Sequence, residues 1–327
     1  MRTALTLLII AALAGSGWLA WALYSPVTPP TQQTFVLLHP GYSTRRIAAE
    51  LKSAGVIHST TAFILWHRLH PHRSLKAGEY AFDKATNSIE IHDRMVRGDV
   101  VIHTVIIPEG FNMFEIAQAI QAAGLGPSED FLKVAESQTQ LIADLAPDAR
   151  SLEGYLFPNT YEFTRTQTME EMAAAMVKQF RLVAREIGLS ADVQKAVTLA
   201  SIIEKETAAA DERPLVAGVY DNRLAKNIPL QADPSVIYAE LLQGAYTGAL
   251  HHEDMKFPSA YNTYVHAGLP PGPIGSPGKI SLEAAMHPAE TPYLYFVSDG
   301  NSHHRFARSL EEHNRNVAEY RKAVARR

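Results

Sequence analysis

Residues Ser190 to Thr207 read SADVQKAVTLASIIEKET. Val193, Ala196, Val197, Leu199, Ala200, Ile202 and Ile203 recur at helical spacing and give the segment one wide apolar stripe. The pattern predicts a buried helix with Ser190 as N-cap, Asp192 favourably placed in the first turn, and an end near Thr207. Two glutamates, Glu204 and Glu206, fall at that end. At roughly 100° per residue they point about 200° apart, so they cannot face each other across one substrate bond. The helical wheel sets Glu206 among Leu199, Ile202 and Ile203, and Glu204 beside Val197 and Ala200. A carboxyl among apolar neighbours keeps its proton to higher pH, as a general acid requires. Periodicity does not choose between the two, and on helix pattern alone a glutamate paired with Arg213 or Lys205 is the plainer reading.

On the N-terminal side of this helix the pattern is helical back to Met113, with segments at Met113–Ala123, Glu129–Ala135 and Met169–Ile187. Before that, short strand patterns at Phe35–Leu38, Ala77–Phe82 and Val100–Ile107 alternate with helices. One of these is capped by Ser43 or Thr44, one by Thr60 or Thr61, and one runs from Ile89 to Val96. This is a small α+β unit with few polar groups suited to catalysis. On the C-terminal side, proline and glycine are dense between Pro229 and Pro292, which predicts long ordered loops with short strands, of the kind that carry function. Pro292–Val297 reads as a strand followed by a turn at Ser298–Asn301.

The N-terminus carries a separate signal. Ala4 to Tyr24, ALTLLIIAALAGSGWLAWALY, contains no charge, and its 21 residues match the roughly 20 needed to cross a hydrocarbon core. Arg2 lies before it and the next basic residue is Arg45, so the positive-inside rule puts the N-terminus in the cytoplasm and the remainder outside. Trp18, Trp21 and Tyr24 cluster at the outer end. No small-x-small cleavage site follows, so an anchor is expected rather than a cleaved signal peptide. Ser25–Gln33, SPVTPPTQQ, reads as a proline-rich stalk holding the next domain slightly off the membrane.

Composition narrows the chemistry. Apolar residues make up 46% and charged residues 20% of 327 positions, enough for a substantial core. A net charge of −4 gives no polybasic signature, so nucleic acid is not expected as a partner. The absence of cysteine excludes disulfides, thiolate metal sites and a cysteine nucleophile. Among 14 histidines, His251-His252 and His303-His304 are adjacent pairs, and no HExxH or comparable metal spacing occurs. Neither a Walker loop, a GxSxG elbow nor a GxGxxG run appears.

Five stretches follow one another in order: LEGYLFPNTYEF (Leu152–Phe163), LASIIEKET (Leu199–Thr207), LQADPSVIY (Leu230–Tyr238), YNTYVHAGLPPGPIGSPG (Tyr261–Gly278) and HPAETPYLYFVSDGNSHHRF (His287–Phe306). With the single N-terminal anchor, they resemble the YceG-like family of endolytic murein transglycosylases, continuously over about 150 residues and more loosely over the whole chain. The resemblance implies an α+β protein. Residues 1–24 would be cytoplasmic N-terminus and transmembrane anchor, 25–34 a linker, 35–107 a LysM-like subdomain and 108–327 a mixed α+β catalytic domain.

It also implies a reaction. Lytic transglycosylases break the bond between N-acetylmuramic acid and N-acetylglucosamine without water: an acid protonates the glycosidic oxygen, and the muramyl C6 hydroxyl attacks C1. One carboxyl serves as acid and then as base, unlike the usual two-carboxylate scheme. Related transglycosylases place the catalytic glutamate just before a small hydroxyl residue, which matches Glu206 before Thr207. Glu153, Tyr155, Gln231, Asp233, Tyr261, Asn262 and Thr263 are the candidate substrate-binding residues. Glu153 is the second carboxyl, and Tyr155 and Tyr161 are suited to stacking on sugars or to filling the core. Gln231 and Asp233 precede Pro234 in a constrained extended or turn segment. Tyr261, Asn262 and Thr263 form a polar triplet able to bond N-acetyl and hydroxyl groups, in a loop fixed by the glycines and prolines of Gly268–Gly278. No cofactor and no metal are implied. The implied partners are peptidoglycan glycan strands, the bacterial inner membrane and peptidoglycan synthases, with the catalytic domain in the periplasm and nascent strands cut to end their elongation. The rival readings are a hydrolytic muramidase using Glu153 as base or nucleophile, and a non-catalytic glycan-binding scaffold.

Overall fold

An uninterrupted run of apolar residues forms helix α1 (Arg2–Tyr24). In this computed structural model residues 2–325 are described; Met1, Arg326 and Arg327, which the sequence reading placed at the ends of the anchor and of the catalytic domain, lie outside them. From its start to Trp18 α1 is exposed, and only Ala22 and Leu23 are buried. Such an all-round apolar surface meets a non-aqueous phase or another protein, not water.

The chain divides into two compact units: residues up to Thr104 with Glu162–Thr168, and Val105–Tyr161 with everything from Met169. In chain order the first contains α1, β1 (Thr34–Leu38), α2 (Thr44–Ser53), α3 (Thr60–Leu69), β2 (Gly78–Phe82) and α4 (Ser88–Arg97). The division falls within β3 (His103–Ile107), and the second unit continues with α5 (Met113–Ala122) and α6 (Ser128–Ser137). It falls again within β4 (Asn159–Phe163), which shares a two-stranded sheet with β3. The second unit then runs through α7 (Met169–Glu186), α8 (Val193–Glu206), α9 (Arg213–Ala225), α10 (Asp233–Leu242), α11 (Lys279–Met286), β5 (Tyr295–Ser298), β6 (His304–Ala307) and α12 (Leu310–Val324).

In the first unit β1 and β2 pair antiparallel from Thr34↔Phe82 to Leu38↔Gly78. Their inward side chains Val36, Leu38, Tyr80 and Phe82 pack with Ile47, Leu51, Phe63, Ile91 and Met95 of α2, α3 and α4. Ser43 caps α2 as expected, but Ser59, not Thr60 or Thr61, caps α3, its hydroxyl accepting from the Ala62 amide. Glu79 of β2 is buried and held by two cation-capable partners, Arg165 Nη1 at 2.8 Å and His103 Nε2 at 2.7 Å. The proline-rich stretch after α1 is no free stalk. Val27 exchanges both backbone hydrogen bonds with Thr86, and Ser88 Oγ donates to Ala22 O, so the end of α1 is bonded into this unit.

The second unit is built around α8, whose residues from Val197 to Ile203 are all buried. Leu199, Ile202 and Ile203 pack with Val216, Ala217 and Tyr220 of α9, Tyr238 of α10 and Ile274. The helix begins at Val193 instead of near Ser190, because Asp192 takes a left-handed conformation (φ 48°) that interrupts the helical path. The region expected to be loops with short strands contains two helices, α10 and α11, started by Asp233-Pro234 and by the Gly278 turn. A hairpin, β5–β6, runs from Tyr295↔Ala307 to Ser298↔His304, and its turn is closed by Asp299 accepting from the Asn301 and His303 amides.

Between them Gly272–Gly278 forms a strap that is buried throughout. A buried loop must satisfy its backbone donors. Pro273 and Pro277 carry none, and three of the others are bonded: Ile274 N to Ser201 Oγ (3.0 Å), Ser276 N to Phe111 O (2.8 Å) and Gly278 N to Glu204 Oε2 (2.9 Å). A Cβ at Gly275 would lie 2.7 Å from Gly110 O, a backbone atom that cannot step aside. Gly275→Ala should therefore destabilise the protein by about 1–3 kcal/mol, read as a lowered urea midpoint. Gly272→Ala, whose Cβ would meet only Tyr261 Oη at 3.2 Å, should cost less.

Candidate active site

Glu206 is the last residue of α8, and Thr207 leaves the helix in an extended conformation. The Glu206 carboxyl lines a cavity of about 290 Å³ together with Tyr220 and Arg223 of α9, Gln231, Asp233, Tyr264, Tyr295 and Phe296 of β5, and Leu310 and His313 of α12. Tyr220 donates a hydrogen bond to Glu206. Burial pushes the Glu206 pKa up to about 7; the Tyr220 hydroxyl opposes that rise and the Asp233 charge adds to it. This carboxyl thus still holds its proton near neutral pH.

Glu204 has a different fate, as the 200° offset requires. Its Oε1 accepts from Arg213 Nη2 at 2.7 Å and its Oε2 from the Gly278 amide at 2.9 Å. Both side chains of this ion pair are nearly inaccessible, 5% for Glu204 and 6% for Arg213. Burial raises the Glu204 pKa, and the Gly278 amide and Arg213 pull against it. Pairing with Arg213 is thus realised by Glu204, whereas Glu206 faces the cavity.

The other sequence-selected residues sort into three places. Gln231 and Asp233 share the cavity with Glu206. Gln231 adopts a positive φ of 53° and accepts from Arg223 Nη2 at 2.6 Å, while Asp233, the first residue of α10, accepts from Tyr264 Oη at 2.5 Å. Glu153, Tyr155 and Tyr261 line a separate recess of only about 10 Å³. There Glu153 is buried, accepts from the Met113 amide at 3.0 Å and from Tyr238, and has its pKa raised by burial to about 7. Tyr155 is fully buried, edge-on to Phe180, and Tyr161 donates to Phe157 O at 2.6 Å. Asn262 and Thr263 are buried, Asn262 bonded within its own loop and Thr263 to the start of α10. Asn262 Nδ2 donates to Met255 O and Phe257 O and its Oδ1 accepts from Tyr264 N; Thr263 Oγ1 accepts from Ala232 N and bonds Ser235. These two shape the segment that carries Gln231 and Tyr264, through Gln231 N→Thr263 O at 3.1 Å among other bonds.

Sequence reasoning did not select Tyr220, Arg223, Tyr264, Tyr295, Phe296, Leu310 or His313. Arg223 is 6% exposed, and its guanidinium donates to Pro229 O, Leu294 O and Gln231 Oε1, none of them charged. Its guanidinium carbon also sits 5.3 Å from the centre of the Tyr295 ring, on which His313 stacks. Nothing local marks these side chains; a tyrosine and an arginine three residues apart on one helix face are the only legible sign. Among the described residues no group of three or more His, Asp or Glu is arranged to hold a metal ion.

The model of the YceG-like family matches residues 36–319. The chain belongs to the YceG-like family. A relative named endolytic murein transglycosylase from Bacillus subtilis is 32% identical over 91% of this chain and 88% of its own length. One with the same name from Streptococcus pneumoniae is 31% identical over 86% of this chain and 57% of its own length. A crystal structure of a yceG-like protein from Listeria monocytogenes is 33% identical, with a TM-score of 0.57, covering 87% of this chain and 98% of that one. For this YceG-like chain the α+β fold read from sequence therefore stands.

Glu206 also gives a linkage prediction. Its folded-state pKa, about 7, lies above its ordinary value of 4.5, so its stabilising effect is complete below pH 4.5 and is lost as pH rises through 7. Since the carboxyl opens onto a cavity, water screens part of the loss, leaving about 1–3 kcal/mol. Glu206→Gln should raise the thermal midpoint at pH 8 and leave it unchanged at pH 4.5, measured by calorimetry.

Proposed function

We propose that this chain is a membrane-anchored lytic transglycosylase that cleaves peptidoglycan glycan strands between N-acetylmuramic acid and N-acetylglucosamine, with Glu206 as its single catalytic carboxyl. The observation that carries the reading is a cavity carboxyl, Glu206, kept protonated to about pH 7, in a chain whose relatives are named endolytic murein transglycosylase. Tyr220 donates to one oxygen of the protonated carboxyl and leaves the acidic O–H for the substrate. Glu206 gives that proton to the glycosidic oxygen as the C1–O bond breaks, and the N-acetylglucosamine leaves with its 4-hydroxyl restored. The carboxylate then takes the proton of the muramyl C6 hydroxyl as that oxygen bonds C1. The product is a 1,6-anhydromuramyl end, water is not consumed and Glu206 is protonated again. Asp233, on the same cavity, supplies negative charge for the oxocarbenium-like transition state.

Glu153 lies in its own recess, which supports a one-carboxyl mechanism over the muramidase that would use it. Its role under this proposal is to tie α5 to the 152–155 turn through the Met113 amide. Asn262 and Thr263 act by shaping the loop, and Gln231, Asp233 and Tyr264 contact the sugar. α1, apolar and 23 residues long, anchors the chain in the bacterial inner membrane with Arg2 on the cytoplasmic side and the catalytic unit in the periplasm. Residues 35–107 form a LysM-like subdomain. There the enzyme acts on nascent strands beside the synthases and ends their elongation.

Mass spectrometry of products from purified glycan strands tests the reading. Wild type should release fragments with 1,6-anhydromuramyl ends, and Glu206→Gln should lose at least about 10³-fold in rate. Reducing muramyl ends would make the chain a hydrolase, and no fragments would leave it a binding scaffold. Because the acid must start protonated, kcat/KM should fall above about pH 7, the value to which burial lifts Glu206.

A further inference from the structure

Helix α3 carries an apolar face that the core of its own unit does not use. Ala62 and Phe63 are fully buried, whereas Leu65 and Leu69, four residues apart and so on one side of the helix, are 41% and 65% exposed. With Trp66 they form one wall of an apolar groove of about 240 Å³, and residues 16–24 of α1 form the other. The junction is packed: Ala62 and Trp66 meet Leu19, Ala22 and Leu23, and Ser88 Oγ bonds Ala22 O. The apolar surface of α1 therefore continues without a break onto α3.

Depth follows from helix geometry. The 23 residues of α1 extend about 34 Å, and a hydrocarbon core is about 30 Å thick. The groove takes up the last nine residues of α1, about 13 Å of that length. A spanning α1 thus sets Leu65 and Leu69 at the outer edge of the hydrocarbon, level with Trp18, Trp21 and Tyr24. The charge pattern agrees. From Thr60 to Lys76 the chain contains Arg68, Arg73 and Lys76, three histidines and no carboxylate. Arg68 is exposed, and Arg73 is bonded to Asp93 of α4 at 2.7 Å. An apolar ridge beside the exposed cation Arg68 is the composition of a helix lying in the headgroup layer of an anionic bilayer.

We propose that α3 is an interfacial membrane helix, with Leu65 and Leu69 seated among lipid acyl chains and Arg68 at anionic headgroups. This rests on the reading of α1 as a membrane span. The first unit is thereby held against the bilayer face by two elements, and the membrane fixes its orientation as well as its attachment.

The chain has no cysteine, so single-cysteine variants report one position each. Full-length protein labelled at Leu8→Cys of α1 or at Leu69→Cys of α3 is reconstituted in phosphatidylcholine vesicles containing phosphatidylglycerol and a lipid spin-labelled high on its acyl chain. Fluorescence quenching at Leu69 should be within about twofold of that at Leu8. Adding Leu65→Glu, an exposed site that leaves the fold intact, should lower the Leu69 quenching at least about threefold and leave Leu8 unchanged. An unquenched Leu69 beside a quenched Leu8 overturns the proposal while the span stands. If Leu8 is unquenched as well, the span fails and the proposal fails with it.

Discussion

The buried ion pair between Glu204 and Arg213 ties the end of α8 to the start of α9. Glu204 takes the guanidinium of Arg213 on one oxygen and the Gly278 amide on the other, so three segments meet at one carboxyl: the end of α8, the start of α9 and the end of the buried strap. Removing one partner of such a pair leaves an uncompensated buried charge, a penalty of about 3–5 kcal/mol, which is why this junction tolerates little. Helix geometry then does the rest. Two residues after Glu204, Glu206 is turned to the far side of the helix and into the cavity, where its partner is a neutral tyrosine.

That division of labour gives two glutamates in a tripeptide different partners. Burial raises the pKa of both; Arg213 and a backbone amide pull Glu204 back toward its charged form, whereas at Glu206 the Tyr220 hydroxyl opposes the rise and the Asp233 charge adds to it. The arrangement places strain on stability and not on geometry: a carboxyl kept neutral by its surroundings destabilises the folded state as soon as pH draws its proton off. Glu153 shows the same physics without the cavity. It is buried beside Tyr238 with a raised pKa, and its bond to the Met113 amide gives it a tethering task.

Family membership and cavity geometry answer different questions. Identity of about a third over most of the chain says that the fold is shared. The cavity says which carboxyl has both a raised pKa and room beside it for a sugar. The N-terminal end of the molecule obeys a separate rule under our proposal, in which the exposed apolar faces of α1 and α3 answer to lipid and not to a protein core.

Much of this was legible in the sequence because it depends on local period and composition. The apolar run of α1, the buried stripe of α8, the 200° offset of Glu204 from Glu206, the Ser43 cap and the proline-rich strap are all consequences of residues near one another in the chain. Where reading failed, a backbone conformation or a contact outside the hydrophobic pattern had decided the local structure. Asp192 turns left-handed and shortens α8, Val27 and Thr86 pair across the unit and abolish the stalk, and Asp233-Pro234 starts a helix where proline density predicted loop. Tyr220, Arg223, Tyr264, Tyr295 and His313 join Glu206 from α9, the 261–264 turn, β5 and α12. Their convergence has no signature in sequence, because it arises only when those elements pack. The sequence by itself determined an α+β chain with an apolar N-terminal helix and a glutamate poised at the end of a buried helix. The tertiary structure decided which glutamate is salt-bridged and which opens onto a cavity, since partners and room are set by what surrounds each carboxyl in space.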